Sequence, residues 1–506
     1  MAERAPRLSG LLPGLGDAVV TGISLDSRAV GPGELYAALP GQHTHGARFA
    51  GEAVRRGAAG VLTDAAGRDL IGGDLIGGDP NAAGVPVIVV DDPRATLAEV
   101  AAAVHGHPAR AMRMFGITGT NGKTSTVFLL EAALAALGER VGTLGTIGFR
   151  LAGEAIPRSR STVTTPEAPD LQELLAQLRD AGASSVAMEV SSHALALRRV
   201  GGIVFDVAAF THLGRDHLDF HGDLESYFAA KAELFLGGRA RACVVNTDGD
   251  WGRRLAGMIR AEGTPLLTTG SGPGADFRLV SARPDAAGRT AVSLETPDGP
   301  LAFVVGMPGG FNVANAITAA AMVRAAGLDA AAAVAAFATA SVPGRMQRVD
   351  LGPGAPGVVV DFAHTPEAVA AALAALPAPR IAVLGAGGDR DATKRGPMGA
   401  AAVANAELVV VTDDNPRSED PAAIRAAVRA GAERASAGAV EVLDGGDRRS
   451  AIALALRRAQ PASWVAVLGK GHETGQEVAG VISPFDDVAV LREEWQRFVG
   501  GNHESA

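Results

Sequence analysis

The chain has 506 residues, 47% of them apolar and 20% charged, which suits a globular protein with more than one core and room for about three domains. A net charge of −9 argues against a general nucleic-acid or membrane-surface binder, and only basic pockets would attract anions. Cys243 is the lone cysteine, which excludes an internal disulfide and a cysteine-built metal centre and fits a reducing, cytoplasmic setting. The opening "MAERAPRLSG" has no apolar signal core, and the apolar stretch Ala330–Ala340, read as helical, is too short to span a bilayer.

The first hundred residues mix short strands, such as "GVLTD" and "VPVIVVDD", with loops rich in Gly, Pro and His. The repeated "DLIGGD" at 69–79 reads as a surface insertion, and "HGHPARAMRM" marks a boundary near residue 110. An apolar strand then runs into "GITGTNGKTST", and a helical pattern opens at Lys123 and stops at Gly138. Strand, Gly/Thr turn and helix beginning on Lys-Thr form a phosphate-binding loop, Thr118-Gly119-Thr120-Asn121-Gly122-Lys123-Thr124. Its backbone N–H groups and helix dipole cradle phosphates, Lys123 reaches the outer ones and the Thr124 hydroxyl suits Mg²⁺. It departs from the generic pattern in having Ile117 where the first glycine is expected.

From there to residue 343 strands and helices alternate: "SSVAMEVS" is a strand, "LESYFAAKAELF" a helix and "ARACVVN" a strand. Residues 265–306 read as an antiparallel edge, followed by the helix "FNVANAITAAAMVRAAG". After "SVPGRMQRVD" a second βα alternation begins, whose polar signatures "HTPE", "GGDRD", "DDNPRSEDP" and "GKGHE" fall at strand C-termini. The fold class expected is α/β in three domains, 1–109, 110–343 and 344–506, with parallel sheets in the second and third.

Glu189 ends a strand and is followed by Ser191, His193 and Arg199. His217 and His221 have the spacing of a zinc pair, yet no third soft ligand follows and HExxH is absent; Mg²⁺ held by Glu189, Thr124 and phosphate oxygens is the better match. Lys231, inside a helix beside Ala229 and Ala230, reads as a solvated lysine from its neighbours alone. "GAGGDR" imitates a dinucleotide turn, but Arg390 stands at the third glycine, which argues against NAD.

The ordered set "GITGTNGKTST", "STVTTPE", "EVSSHAL", "THLGRDHLDFHGD", "AAKAELF", "FNVANAITA", "GRMQRV", "DFAHTPE", "GGDRD", "DDNPR" and "GKGHE" resembles the Mur ligase family. These are ATP-dependent amide-bond-forming enzymes of peptidoglycan precursor synthesis, and the likeness is greatest to the MurE type, which adds the third stem-peptide residue. The resemblance implies an N-terminal UDP-binding domain, a central ATPase and a Rossmann-like C-terminal domain for the incoming amino acid; the protein is expected to be a cytoplasmic monomer. It implies that Leu25, Ser27 and the loop Gln42-His43-Thr44 contact the UDP-sugar, and that Thr164, Thr165, Ser191 and Arg199 hold the muramoyl dipeptide. Leu197 departs from the glutamine common in the family. Asn315 and Arg345 are implied to contact ATP, Asp361 to lie near the phosphates, and Glu189 and His217 to help bind two Mg²⁺. Lys231 matches the lysine that the family carbamylates into an anionic Mg²⁺ ligand.

"DDNPR" resembles the sequence of enzymes that add meso-2,6-diaminopimelate to UDP-N-acetylmuramoyl-L-alanyl-D-glutamate. Asp414, Asn415, Pro416, Arg417, Arg390, Gly469 and Glu473 would then meet the amino acid, Arg417 its distal carboxylate and Glu473 its distal ammonium. A lysine-adding relative and a folylpolyglutamate synthase are the nearest alternatives; a P-loop switch or motor would need no "DNPR".

Overall fold

The computed structural model describes residues 12, 20–41, 43–74, 85–156, 163–285 and 287–503. Gln42 and residues 75–79 of the repeat lie outside the described residues. The chain divides into two compact units, Met1–Thr269 with Ala320–Ala330, and Gly270–Ala319 with Ala331–Ala506.

The first unit contains a small parallel sheet and the parallel strands of a larger one, which continues antiparallel from Val141–Gly145 through Gly148–Leu151 to Glu154–Ala155. The smaller orders its strands Gly22–Ser24, Glu34–Ala37, Gly60–Thr63 and Val87–Val89. The helix Pro93–Val104 buries Leu97, Val100 and Ala101 in a core with Leu35, Leu62 and Ile88. In the larger sheet Arg113–Thr118 lies between Phe205–Phe210 and Ser185–Glu189, and both pairings are parallel. Ala240–Asn246 extends it on one side and Val141–Gly145 on the other. Arg113–Thr118 and Ser185–Glu189 are buried almost throughout, which explains their continuous apolar runs in place of alternation. Parallel pairing brings Thr118, Glu189 and Phe210 to the same C-terminal edge.

The second unit carries the antiparallel ribbon Phe277–Pro284, Thr290–Thr296, Gly299–Val305, as expected for 265–306. Its main sheet is ordered Gln347–Arg348, Gly357–Asp361, Trp464–Leu468, Arg380–Ala386, Leu408–Asp413 and Glu441–Asp444, parallel except for the first strand. Strand order departs from chain order around Trp464–Leu468, and such switch points open a ligand crevice at the C-terminal edge. "HTPE", "GGDRD", "DNPR" and "GKGHE" begin there, each just beyond a strand end.

One element differs from the sequence reading. Ala330–Ala340 is not one helix: an α-turn at Ala330–Ala333 tightens into a 3₁₀ segment, Val334–Ala338. Gly306 N–H donates to the Phe337 carbonyl at 3.0 Å, and a Cβ on Gly306 would collide with Ala338 O, so tertiary contact overrides alanine's helix propensity. Among the described residues no helix is long and apolar enough to cross a membrane.

Candidate active site

The phosphate loop leaves the sheet at Thr118 and enters the helix Lys123–Ala136 through Gly122, which has φ +87°. No side chain caps this helix, so its first-turn N–H groups are not claimed by a cap. Gly119 has φ +151°, and a Cβ there would run into Thr211 Oγ1, so glycine is required by conformation and by space. Thr211 Oγ1 donates to Asn121 O at 2.7 Å, and Thr120 N–H donates to His212 O at 2.8 Å. The strand Phe205–Phe210 thus continues into a brace that fixes the loop.

Lys123 Nζ donates to Gly119 O at 2.9 Å and Thr120 O at 3.0 Å, lying back along the loop it is expected to serve. Thr124 Oγ1 donates to Glu189 Oε1 at 3.0 Å, and both side chains are buried. Glu189 also accepts from Thr146 N–H at 2.8 Å and Thr146 Oγ1 at 3.2 Å. Thr146 Oγ1 in turn lies 3.2 Å from Thr164 Oγ1. Hard oxygens therefore converge at the end of the loop, a donor set suited to Mg²⁺.

Lys231 is 1% exposed, with Nζ 2.9 Å from Gly119 O and 4.6 Å from the centre of the Tyr227 ring. Among the described residues it forms no salt bridge, and burial, reinforced by Lys123, pushes its amine well below the ordinary lysine range. The solvated-lysine reading from neighbouring residues is therefore wrong; the helix Leu224–Ala232 turns this side chain into the protein. His217 takes φ +53°, uncommon outside glycine, and stands edge-on to His193 at 4.8 Å. Burial lowers His217 against the pull of Asp216, so it is neutral and able to ligate near pH 7. His221 is engaged elsewhere, 2.9 Å from Ser192 Oγ, and burial with the neighbouring His193 lowers it to about 4. Among the described residues no three His, Cys, Asp or Glu side chains form a ready-made metal cluster.

Next to Glu189, Thr165 Oγ1 donates to Glu189 O at 2.9 Å, and Ser191 caps the helix Ser192–Ala196 by accepting from Ala194 N–H. Arg199 donates to Thr165 O at 3.0 Å and pairs with Glu167 at 2.8 Å. Thr164, Thr165, Ser191 and Arg199 are thus linked through side-chain and backbone contacts around Glu189. Leu197 follows that helix as its C-terminal cap. Beyond the strand Gly22–Ser24, Ser27 donates to Glu52 at 2.9 Å and Leu25 is half-buried, while His43 and Thr44 are exposed.

In the second unit Asp361 Oδ2 accepts from Met346 N–H at 2.6 Å, and burial raises its carboxyl against the pull of Arg345. Arg345 stacks on Phe362 at 4.6 Å, and Asn315 is buried in the helix Gly310–Ala325, 3.4 Å from Asn312. At the far sheet edge Asp414 accepts from Asn415 N–H at 2.7 Å, and Asn415 Nδ2 donates to Glu473 at 2.7 Å. Arg417 has φ +54°; its Nη1 donates to Gly388 O at 2.7 Å and its Nε lies 3.7 Å from Glu477. Gly388 must be glycine, because a Cβ would strike Pro416 O. Gly469, at φ +113°, likewise lets Asp414 approach. Arg390 is exposed and donates to its neighbour's carbonyl, Asp389 O, at 3.4 Å.

Sequence reading missed several residues. Thr146 and Glu167 orient Glu189 and Arg199, and Tyr227 faces Lys231. Lys470, fully buried, donates to Gly475 O and lies 3.4 Å from Glu473. Arg448 is buried in a two-pronged pair with Asp487 at 2.7 Å and also holds Leu468 O at 3.1 Å. Lys470 was visible inside "GKGHE"; the others depend on distant partners.

Three family models match in succession: the Mur ligase family catalytic domain over 19–105, the Mur ligase middle domain over 117–323 and the Mur ligase glutamate ligase domain over 344–471. A UDP-N-acetylmuramoyl-L-alanyl-D-glutamate--2,6-diaminopimelate ligase of Streptomyces coelicolor is 47% identical across 99% of this chain and 97% of its own. One of the same name from Corynebacterium glutamicum is 45% identical across 94% and 92%. A solved structure of a UDP-N-acetylmuramoyl-L-alanyl-D-glutamate--2,6-diaminopimelate ligase superposes with a TM-score of 0.72 at 31% identity, covering 98% of this chain and 99% of that one. The expected family and α/β fold class hold: this chain belongs to the Mur ligase family.

Proposed function

We propose that the chain is an ATP-dependent ligase that joins meso-2,6-diaminopimelate to UDP-N-acetylmuramoyl-L-alanyl-D-glutamate. Residues 1–109 would take the UDP-sugar through Leu25, Ser27, His43 and Thr44, with Gln42 assigned by resemblance alone. Residues 110–343 would bind ATP and activate the dipeptide, and 344–506 would bring the amino acid. The observation that carries the ligase reading is the buried assembly of phosphate loop, Thr124–Glu189 and Lys231.

The dipeptide's side-chain carboxylate is a poor electrophile, and phosphoryl transfer from ATP turns it into an acyl phosphate with a good leaving group. The incoming amine attacks that carbonyl, the tetrahedral intermediate collapses and phosphate departs. Lys123, released from its loop carbonyls, would neutralise the transferred phosphoryl, while the uncapped helix start receives the other phosphates. Asn315, Arg345 and Asp361 are assigned to the nucleotide by resemblance. Arg199, with Thr164, Thr165 and Ser191, would orient the dipeptide by exchanging Glu167 for a substrate carboxylate.

Thr124, Glu189 and His217 offer the ligands for Mg²⁺, which when bound would screen the phosphate charge. Lys231 completes that set as a carbamate. Its depressed basicity favours the neutral amine, whose lone pair adds to CO₂ with loss of one proton, leaving a carbamate anion where an ammonium would repel the metal.

For the amino acid, Arg417 stands ready to give a fork of two N–H bonds to a distal carboxylate, and Glu473, held by Asn415 and Lys470, would meet the distal ammonium. Asp414, Pro416 and Gly469 shape the same turn; Arg390, exposed in the free chain, would close on the ligand. The test is phosphate release from ATP, assayed with each substrate omitted. Release that needs both the UDP-muramoyl dipeptide and diaminopimelate supports the proposal, and release without the amino acid contradicts it.

A further inference from the structure

The "DNPR" edge of the second unit rests on a buried charge that the proposed chemistry does not use. Arg448 opens the helix Arg448–Arg458, and Asp487 opens the C-terminal helix Asp487–His503. Both side chains are fully buried, and Arg448 Nε and Nη2 donate to the two Asp487 carboxylate oxygens at 2.7 Å each. The guanidinium has donors to spare. Nη2 also donates to Leu468 O at 3.1 Å, and Nη1 donates to Asp413 O at 3.4 Å.

Those two carbonyls occupy special places. Leu468 ends the strand Trp464–Leu468 and Asp413 ends Leu408–Asp413, so the residues that follow, Gly469 and Asp414, open the "GKGHE" and "DNPR" loops. The two strands are not neighbours, because Arg380–Ala386 lies between them and pairs with both. Arg448 therefore ties together two strand ends that no ladder hydrogen bond joins. Beyond those ends the loops approach closely: a Cβ on Gly469 would come within 2.3 Å of Asp414 Oδ2. Such a contact tolerates little movement of either loop root. Charge acts in the same place. Burial raises the Asp414 carboxyl, Arg448 and then Lys470 pull it back towards the ionised form, and Glu473 adds a smaller upward push.

A buried ion pair is weak evidence for stability, since an apolar pair of similar volume avoids desolvating two charges and often serves as well. What a fork between guanidinium and carboxylate does supply is direction, because its planar two-bond geometry admits one orientation. Asp487 thus aims the guanidinium, and the remaining N–H groups hold the roots of both loops.

We propose that Arg448, aimed by Asp487, is a positioning residue for amino-acid binding, which locks Asp414 and Gly469 at a fixed separation without touching the ligand. The inference rests on the reading that this edge receives the incoming amino acid.

The test compares Arg448→Met/Asp487→Leu and Arg448→Lys, each in the whole chain, with the wild type. The double variant removes both charges together, so no buried charge is left unpaired and its melting temperature should stay close to that of the wild type. Its KM for diaminopimelate should nevertheless rise at least about tenfold, while the KM for the UDP-muramoyl dipeptide stays within about twofold. Arg448→Lys keeps the charge but loses the fork, and should raise the same KM selectively by a smaller factor. Hydrogen–deuterium exchange adds a readout that needs no substrate. Residues 414–417 and 469–473 should both exchange faster in the double variant, and 119–124 at the wild-type rate. A wild type that ligates lysine and not diaminopimelate would sink the functional reading alone, because the KM comparison run with lysine, and the exchange pattern, still judge Arg448. A double variant with a wild-type KM for the amino acid, or KM values that rise together for both substrates, would overturn the proposal. Unchanged exchange at either loop would overturn it too. Should the double variant fail to fold, Arg448→Lys decides by the same criteria.

Discussion

Around the phosphate loop the lysines rest on backbone: Lys123 donates to Gly119 O and Thr120 O, and Lys231 to Gly119 O. At the "DNPR" edge the cations hold backbone too, Arg417 on Gly388 O and Lys470 on Gly475 O, but they also meet carboxylates: Arg417 with Glu477, Lys470 with Glu473 and Arg448 with Asp487. Carbonyls are weak acceptors that a phosphate or a metal-bound oxygen displaces readily, so the first arrangement is set to receive strong anions. Carboxylates are strong acceptors, and a ligand must replace a paired charge with another of the same sign in the same place. That makes the second arrangement a discriminator, because a wrong ligand leaves a charge unpaired. On the proposed function, the two regions would divide the work into activation and choice.

The largest effect should come from removing the activating cation. Lys123→Ala should lower ligation by about 4–5 kcal/mol of transition-state stabilisation, roughly a thousandfold or more, with the circular dichroism spectrum unchanged. Near-normal turnover in the folded variant would dissolve the contrast between the regions. Lys231→Ala should lose most of its activity, on the order of a hundredfold, because the metal loses an anionic ligand. An added short-chain carboxylate should partly restore that activity, whereas it should do nothing for Lys123→Ala. If mass spectrometry and metal titration find a bare ammonium in the active, Mg²⁺-loaded enzyme, the carbamate is wrong.

Gly119→Ala tests the loop's rigidity. Positive φ together with the Thr211 clash should cost about 1–3 kcal/mol of stability and weaken ATP binding, as read by thermal melts with and without nucleotide. The smallest effect concerns unmodified Lys231 in CO₂-free, metal-free buffer. Its folded pKa lies below the unfolded value of about 10.4, so between the two the unfolded chain binds more protons and stability rises with pH. Lys231→Met should flatten that slope and stabilise the apo chain at pH 8 by on the order of 1 kcal/mol. A melting temperature independent of pH in the unmodified wild type would contradict the burial argument.

What could be read in advance follows the range of the interaction. The phosphate loop is legible because strand, glycines and Lys-Thr are adjacent in sequence, and helix and strand periods frame them. The motifs at strand ends were legible for the same reason. Glu189 was visible as a strand-end acid, but its partners Thr124 and Thr146 meet it only after the sheet assembles. Lys231 looked solvated because its alanine neighbours carry no sign of which way the helix faces. Arg448 and Lys470 were passed over since long cations are rarely buried, and only the fold reveals Asp487 and Glu473 beside them. Ala330–Ala340 misled in the other direction, because alanine predicts helix whatever its neighbours demand.

The division between activation and choice is tested most directly by kcat/KM for meso-diaminopimelate and for L-lysine, in the wild type and in Arg417→Ala. The wild type should favour diaminopimelate by about 3–5 kcal/mol, since lysine leaves Arg417 without a carboxylate and brings an ammonium towards it. Arg417→Ala should erase most of that ratio while leaving the KM for ATP unchanged. Equal use of lysine by the wild type, or a ratio that survives the loss of Arg417, would contradict the account.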